Sequence, residues 1–415
     1  MALSGRRFDP TPLGREILAH WARERKTLRQ GLTALGISTA VGMAAGLVLG
    51  AMEGLLDTYR GLLVLVPAAI GMRGAIFGAL GARLGTGILT GQYEATLRAG
   101  SFTAGNVEAS ALLTLSSSAL AAVFARATAA AFGLPTIGLW DLMLVSMVGG
   151  ILSSAFILAG VLGLAATAQR RNWDMDAIGS PLITATGDIV TLPALVVGTL
   201  LLRDPRATGV LGALFLVAAV GAVYQGLRRS PPLTRHIVVE SLPVLAYAAL
   251  VDIMAGTVLE TRIESFVTSP ALLVLIPPFI ANCGSLGGIL SARLGSELHL
   301  GLISPRVIPE RLAGLEASVT VAFAFAAFTG VGVIGHSASV LAGFESPGLV
   351  QMVGIALGGG LLATVLLFVV AYSAAAGTFR FGLDPDNYGI PIVTATMDLL
   401  GVLCLVAAIA FLGVT

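Results

Sequence analysis

LLVLVPAAIGMRGAIFGALGARLGTGILTG, residues 62–91, returns at residues 272–301 as LLVLIPPFIANCGSLGGILSARLGSELHLG. Fourteen of the thirty aligned positions carry the same residue. Each copy opens on an apolar run of the length a helix needs to cross a bilayer, roughly twenty residues. The same offset of 210 lays GSPLITATGDIVT (179–191) on GIPIVTATMDLLG (389–401), and RRNWDMDA (170–177) on RFGLDPDN (380–387). An offset held over more than a hundred residues marks an internal repeat rather than chance composition.

The composition around this repeat agrees with a membrane protein. Of 415 residues, 56% are hydrophobic and 11% charged, against about 25% charged in an ordinary soluble domain. Barrel strands read as short alternating segments, so these long apolar runs predict an all-α polytopic membrane protein. A net charge of +1 without a basic run gives no reason to expect nucleic acid as a partner. The two cysteines, Cys283 and Cys404, fall in apolar runs and imply no disulfide framework. The first thirty residues are polar and basic, so no cleavable signal peptide is expected. Leu13, Ile17, Trp21 and Leu28 share one helical face there, which predicts an amphipathic helix on the cytoplasmic surface.

Hydropathy predicts eleven spans near 31–56, 61–83, 108–132, 139–168, 179–202, 208–227, 236–260, 270–293, 312–336, 346–376 and 388–413. Seven basic residues precede the first span. Arg98, Arg170, Arg171, Arg228, Arg229, Arg235, Arg306, Arg311 and Arg380 follow the even-numbered spans. The opposite side has Arg60, Arg203, Arg206 and Arg262. This asymmetry places the N-terminus in the cytoplasm and the C-terminus outside, with the cell membrane as the expected location.

Each repeat holds five spans, and the one near 208–227 is left over. Five crossings would invert a directly fused second half, and a sixth restores its side. The expected organisation is therefore a cytoplasmic segment (1–30), a first five-helix repeat (31–203), a linker helix (204–232) and a second repeat (233–415). The two repeats would be parallel, related by a pseudo-twofold axis along the membrane normal, as in a homodimer fused into one functional monomer.

Both repeats carry the motif P-x-x-T-A-T-x-D, as Pro181, Thr184, Thr186 and Asp188 and as Pro391, Thr394, Thr396 and Asp398. Threonine and aspartate four residues apart share a helical face. A central aspartate costs about 2.5–3.5 kcal/mol on insertion scales, so such residues usually line a cavity or an ion path. The bland alternative is an acid that bonds a neighbouring helix or is protonated. Two at equivalent places argue instead for a facing pair. A divalent cation removes the repulsion of such a pair, and hard oxygen ligands select Mg²⁺ or Ca²⁺. Two carboxylates with hydroxyls suit a partly hydrated Mg²⁺, because that ion keeps several waters.

Other residues are weaker candidates. Asp252 has Gly42 as its repeat counterpart and is a candidate pore or coupling acid. Gly74 and Gly284 match between the copies, and with Ser285 and Asn282 they either pack helices or bare backbone to a pore. Glu108 and Glu316, in VEAS and LEAS, read as helix N-terminal acids or as an inner vestibule. Glu53, Asp57, Glu260 and Glu264 stand at span ends where acids can concentrate cations. Arg83 and Arg293 end the A-R-L-G motifs and read as anchors to headgroups or to nearby acids.

IPIVTATMDLLGVL preceded by DPDN, together with the two A-R-L-G segments, resembles the membrane domain of MgtE-type magnesium channels and solute carrier 41 magnesium transporters. The resemblance covers most of the chain in two tandem copies, an arrangement similar to solute carrier 41. It implies that Asp188 and Asp398 are the central Mg²⁺ acids. Animal relatives usually carry Gly-Asn-Leu-Glu in the second-helix motif. Here it reads Gly-Ala-Ile-Phe (74–77) and Gly-Ser-Leu-Gly (284–287). The implied activity is Mg²⁺ transport, by a channel or by an exchanger with Na⁺ or H⁺ as coupling ion, and not an enzyme activity. Two readings from other classes stay open. One is a transporter of an organic solute, with Arg73 as its ligand. The other is an intramembrane aspartyl protease, although both acids lack the Gly-x-Gly-Asp setting those enzymes use.

Overall fold

The computed structural model describes residues 12–171, 175–306, 309–381 and 390–413. Its first half comprises α1 (Pro12–Arg23), α2 (Arg25–Ala51), α3 (Glu53–Thr58), α4 (Leu62–Leu89), α5 (Phe102–Ala131), α6 (Leu139–Arg171) and α7 (Met175–Thr199). Helix α8 (Pro205–Tyr224) follows, extended by a π-turn at Gln225–Arg229. The second half comprises α9 (Pro232–Glu260), α10 (Ile263–Thr268), α11 (Pro270–His299), α12 (Arg311–Leu341), α13 (Leu349–Arg380) and α14 (Ile390–Phe411). The described residues contain no strand, so the protein is an all-α polytopic membrane protein.

Ten helices are long and apolar enough to span a membrane among the described residues: α2 from Leu28, α4, α5, α6, α8, α9 and α11 to α14. The eleventh expected span, 179–202, is covered by α7, whose apolar stretch Thr186–Thr199 is described. The RRNWDMDA and RFGLDPDN blocks lie partly outside the described residues.

Local signals set the helix ends. Asp204 accepts from the Arg206 amide at 3.0 Å and Pro205 opens α8, a start that needs no amide from the proline. Gly91 and Gly301, 210 residues apart, take φ of +73° and +69° just past α4 and α11. Only a residue without Cβ adopts that left-handed stop freely.

The two halves exchange their first helices. Helix α2 packs on α11 and α12 of the second half, and α9 packs on α4 and α5 of the first. Each also touches the last helix of its own half, α7 or α14. The exchange rests on a repeated glycine. A Cβ on Gly46 would collide with the Val274 backbone, and one on Gly256 with the Val64 backbone. Both residues of each contact are offset by 210, so the two interfaces are equivalent. Helix α8 lies outside, against α5 and α6, and exposes Val210, Leu214, Val217 and Val220 as a lipid-facing helix would.

Candidate functional site

The two TATxD segments lie on α7 and α14. Helix α7 is held by α4 and α6, and α14 by α11 and α13. Asp188 is buried, with 8% of its surface exposed, and Asp398 is half-buried. The two carboxylates, at equivalent places in the halves, lie within electrostatic reach of each other.

The helix exchange adds a third acid. Because α9 lies against both α4 and α14, its Asp252 reaches Asp398, and the two carboxyl groups share a hydrogen bond. Asp252 is 1% exposed. Glycines give these acids room. A Cβ on Gly71 of α4 would stand 2.5 Å from Asp252 Oδ2, and one on Gly284 of α11 would stand 3.6 Å from Asp398 Oδ1. Among the described residues, no three acidic, histidine or cysteine side chains converge closely enough to enclose a bare metal ion. A cation that keeps its waters needs no such cage, since one or two carboxylates can hold it through them.

The remaining candidates divide. Thr394 stands one turn before Asp398 and Thr186 two residues before Asp188; both are half-buried. The side chain of Thr184 lies outside the described residues. Thr396 is directed elsewhere: its hydroxyl donates to the Ile392 carbonyl at 2.6 Å and meets the Tyr247 hydroxyl of α9 at 3.0 Å. Gly74 and Ser285 are half-buried on α4 and α11. Asn282 joins helices across the two halves, its amide donating to Thr39 Oγ1 at 2.9 Å and to the Pro278 carbonyl at 2.7 Å.

Glu108 and Glu316 are not helix N-terminal acids. Neither α5 nor α12 has an acid in its first turn. Glu108 instead clasps the junction of α8 and α9. It accepts from Ser230 at 2.8 Å, Gln225 at 3.2 Å and Thr234 at 3.4 Å. Glu316 accepts from Arg293, which also reaches Glu24 at 3.2 Å. His20 Nε2 of α1 lies 3.2 Å from the same carboxylate. The counterpart of the Arg293–Glu316 bond is Arg83 donating to Asn106 Oδ1 at 2.7 Å. Asn106, not Glu108, is therefore the repeat partner of Glu316. The likeness of VEAS to LEAS is two residues out of register.

Two of the proposed mouth acids are occupied by structure. Glu260, 3% exposed, accepts the Gly61 amide at 2.9 Å at the start of α4, where the helix dipole favours an anion. Asp57 pairs with Arg60 at 2.6 Å. Arg73, 1% exposed, gives its guanidinium to Ser118 at 2.6 Å and Ser154 at 3.3 Å. These bonds tie α4 to α5 and α6. Gly71 borders the site because the exchanged packing of α9 brings Asp252 against it.

Comparison with known proteins matches both halves of the chain to one family. The family model MgtE, described as a divalent cation transporter, matches twice, at residues 66–198 and 276–408. Solute carrier family 41 member 2 of Xenopus laevis is 26% identical over 398 residues, covering 86% of this chain and 67% of that protein. The Homo sapiens member 2 is 25% identical over 380 residues, covering 84% and 64%. Member 3 of Rattus norvegicus is 24% identical over 391 residues, covering 86% and 81%. The chain thus spans about two thirds of the length of these member 2 relatives. No solved structure matches it.

Proposed function

Because the chain belongs to the MgtE family of divalent cation transporters, we propose that it carries Mg²⁺ across the cell membrane at a site between its two halves. Asp188 and Asp398 hold the cation, which keeps part of its water shell, and Thr394, one turn before Asp398, shares its helical face. The observation that carries this reading is the approach of those two acids, one from each half, within electrostatic reach. The equivalent Gly46–Val274 and Gly256–Val64 contacts support a single chain that works as an internal pseudo-dimer. Its linker is α8, and the basic residues favour a cytoplasmic N-terminus. Asp252 and Asp398 are close enough to share a hydrogen bond, as paired acids in aspartyl proteases also are. Two matches to a transporter family, covering both halves, favour transport over catalysis.

The test is Mg²⁺ flux into proteoliposomes. Asp188→Asn and Asp398→Asn each remove a charge and keep the side-chain size. Loss of one charged contact, about 1.5–3 kcal/mol, lowers flux at least about tenfold. The variants should elute as folded protein in detergent. Unchanged flux in both variants would overturn the reading. Repeating the wild-type measurement with and without an opposing Na⁺ gradient separates a channel from a Na⁺-coupled exchanger.

A further inference from the structure

We propose that Asp252 is a third cation-binding acid, supplied by the second half alone, so that the cation is held nearer to Asp398 than to Asp188. This rests on the transport reading above and adds a residue that the repeat does not foreshadow.

Three observations carry it. First, Asp252 meets Asp398 directly, whereas Asp188 acts on Asp398 only through space. Two carboxylates this close favour a divalent cation, whose charge offsets both. Second, Asp252 is 1% exposed, and among the described residues no amide, hydroxyl or cationic group donates to its Oδ1, which leaves Asp398 as the neighbour its carboxyl group meets. A buried acid with no donor to neutralise it is costly, and a cation between the two acids would offset that cost. Third, the space for this acid is made from both sides. Gly71 of α4 leaves room for Asp252 Oδ2, where a Cβ would stand 2.5 Å away. At the pseudo-equivalent place a Cβ on Gly42 would stand 2.6 Å from the Pro278 Cα, so that half has no room for an acid. The inequality of the two halves is therefore built into the packing.

With Asp252 and Asp398 on one side and Asp188 on the other, the pathway offers a hydrated divalent cation an off-centre seat. Both acids of the second half can accept hydrogen bonds from its waters, which Mg²⁺ retains. Asp252 then sets how tightly the cation is held, more than whether it passes.

The experiment measures Mg²⁺ flux against Mg²⁺ concentration in proteoliposomes. Asp252→Asn keeps the size and the hydrogen bond to Asp398 and removes the charge. The half-saturating concentration should rise about tenfold or more, the effect of one lost charged contact. Asp252→Glu should recover part of the affinity. Gly71→Ala, which crowds Oδ2 while leaving the acid in place, should shift the half-saturating concentration in the same direction. If Asp252→Asn folds poorly, Gly71→Ala and Asp252→Glu decide the matter, and an unchanged half-saturating concentration in both overturns the proposal. So does an unchanged value in a folded Asp252→Asn while Asp398→Asn is inactive, and the transport reading then survives. A wild-type protein that carries no Mg²⁺ overturns the transport reading itself.

Discussion

Gly256 of α9 lies against the backbone of Val64 in α4, and 210 residues earlier Gly46 of α2 lies in the same way against Val274 of α11. These contacts hold each half's first helix onto the other half. A methyl group at either glycine meets backbone, which cannot rotate away as a side chain can. Gly46→Ala and Gly256→Ala should each destabilise the protein by about 1–3 kcal/mol, the usual cost of overpacking. Thermal unfolding in detergent should show a lower Tm for both. Gly54→Ala, where a Cβ meets nothing within 4 Å, should leave Tm unchanged.

Glu108 sits at the junction of α8 and α9. Its carboxylate accepts three hydrogen bonds, from Ser230, Gln225 and Thr234. Glu108→Ala takes their acceptor from Ser230 and Gln225, whereas Thr234 keeps its 3.1 Å bond to the Gly105 carbonyl, at a cost of about 1–3 kcal/mol. Hydrogen exchange over residues 225–234 should accelerate. The half-saturating Mg²⁺ concentration should stay at the wild-type value, and a large shift in it would return Glu108 to the pathway.

Much of the architecture is legible in the chain itself. Hydropathy reports burial in lipid, so the spans follow from apolar runs such as 346–376, seen as α13. The 210-residue offset follows from residues that local geometry constrains twice, such as Gly91 and Gly301 in their left-handed turns. Partnership between distant helices leaves no such trace. Nothing in the pattern around Asp252 tells that α9 crosses to α4 while still touching α14. Glu316 and Glu108 look alike because their neighbours match, but Arg293 and Arg83 pair with Glu316 and Asn106. Register between helices is fixed by such contacts, and short motif likeness is too brief to define it.

Helix α1 is tied to α12 by one buried and one exposed set of charges. Glu316, 2% exposed, gathers Arg293 and His20, and Trp21 Nε1 donates to Ser318 at 3.1 Å. Arg311 pairs with Glu16 in a largely exposed position. Buried charges escape solvent screening, whereas exposed pairs contribute about 0–1 kcal/mol. Glu316→Ala, which also leaves Arg293 short of its acceptor, should speed hydrogen exchange over residues 12–24 at least about tenfold, matching a loss of about 1.4 kcal/mol or more. Arg311→Ala should change it little. Equal effects from the two variants would show that the buried cluster does not hold the helix.

Arg73 offers the last test, because its charge and its partners can be removed separately. The guanidinium is buried beside Ser118, Ser154 and Gly150, and Nε has no hydrogen-bond partner. Its repeat counterpart is Cys283, a smaller neutral residue, so the packing plan itself does not require a cation. A buried charge that, among the described residues, is held by neutral hydroxyls carries a desolvation cost that those hydrogen bonds offset in part. Removing one hydroxyl raises the cost, and removing the charge abolishes it. Ser118→Ala should therefore lower stability by about 1–3 kcal/mol. Arg73→Met, similar in length and uncharged, should leave Tm unchanged or higher. If Arg73→Met instead unfolds the protein more than Ser118→Ala does, the guanidinium has a stabilising partner beyond these serines, and the account of it as a costly buried cation fails.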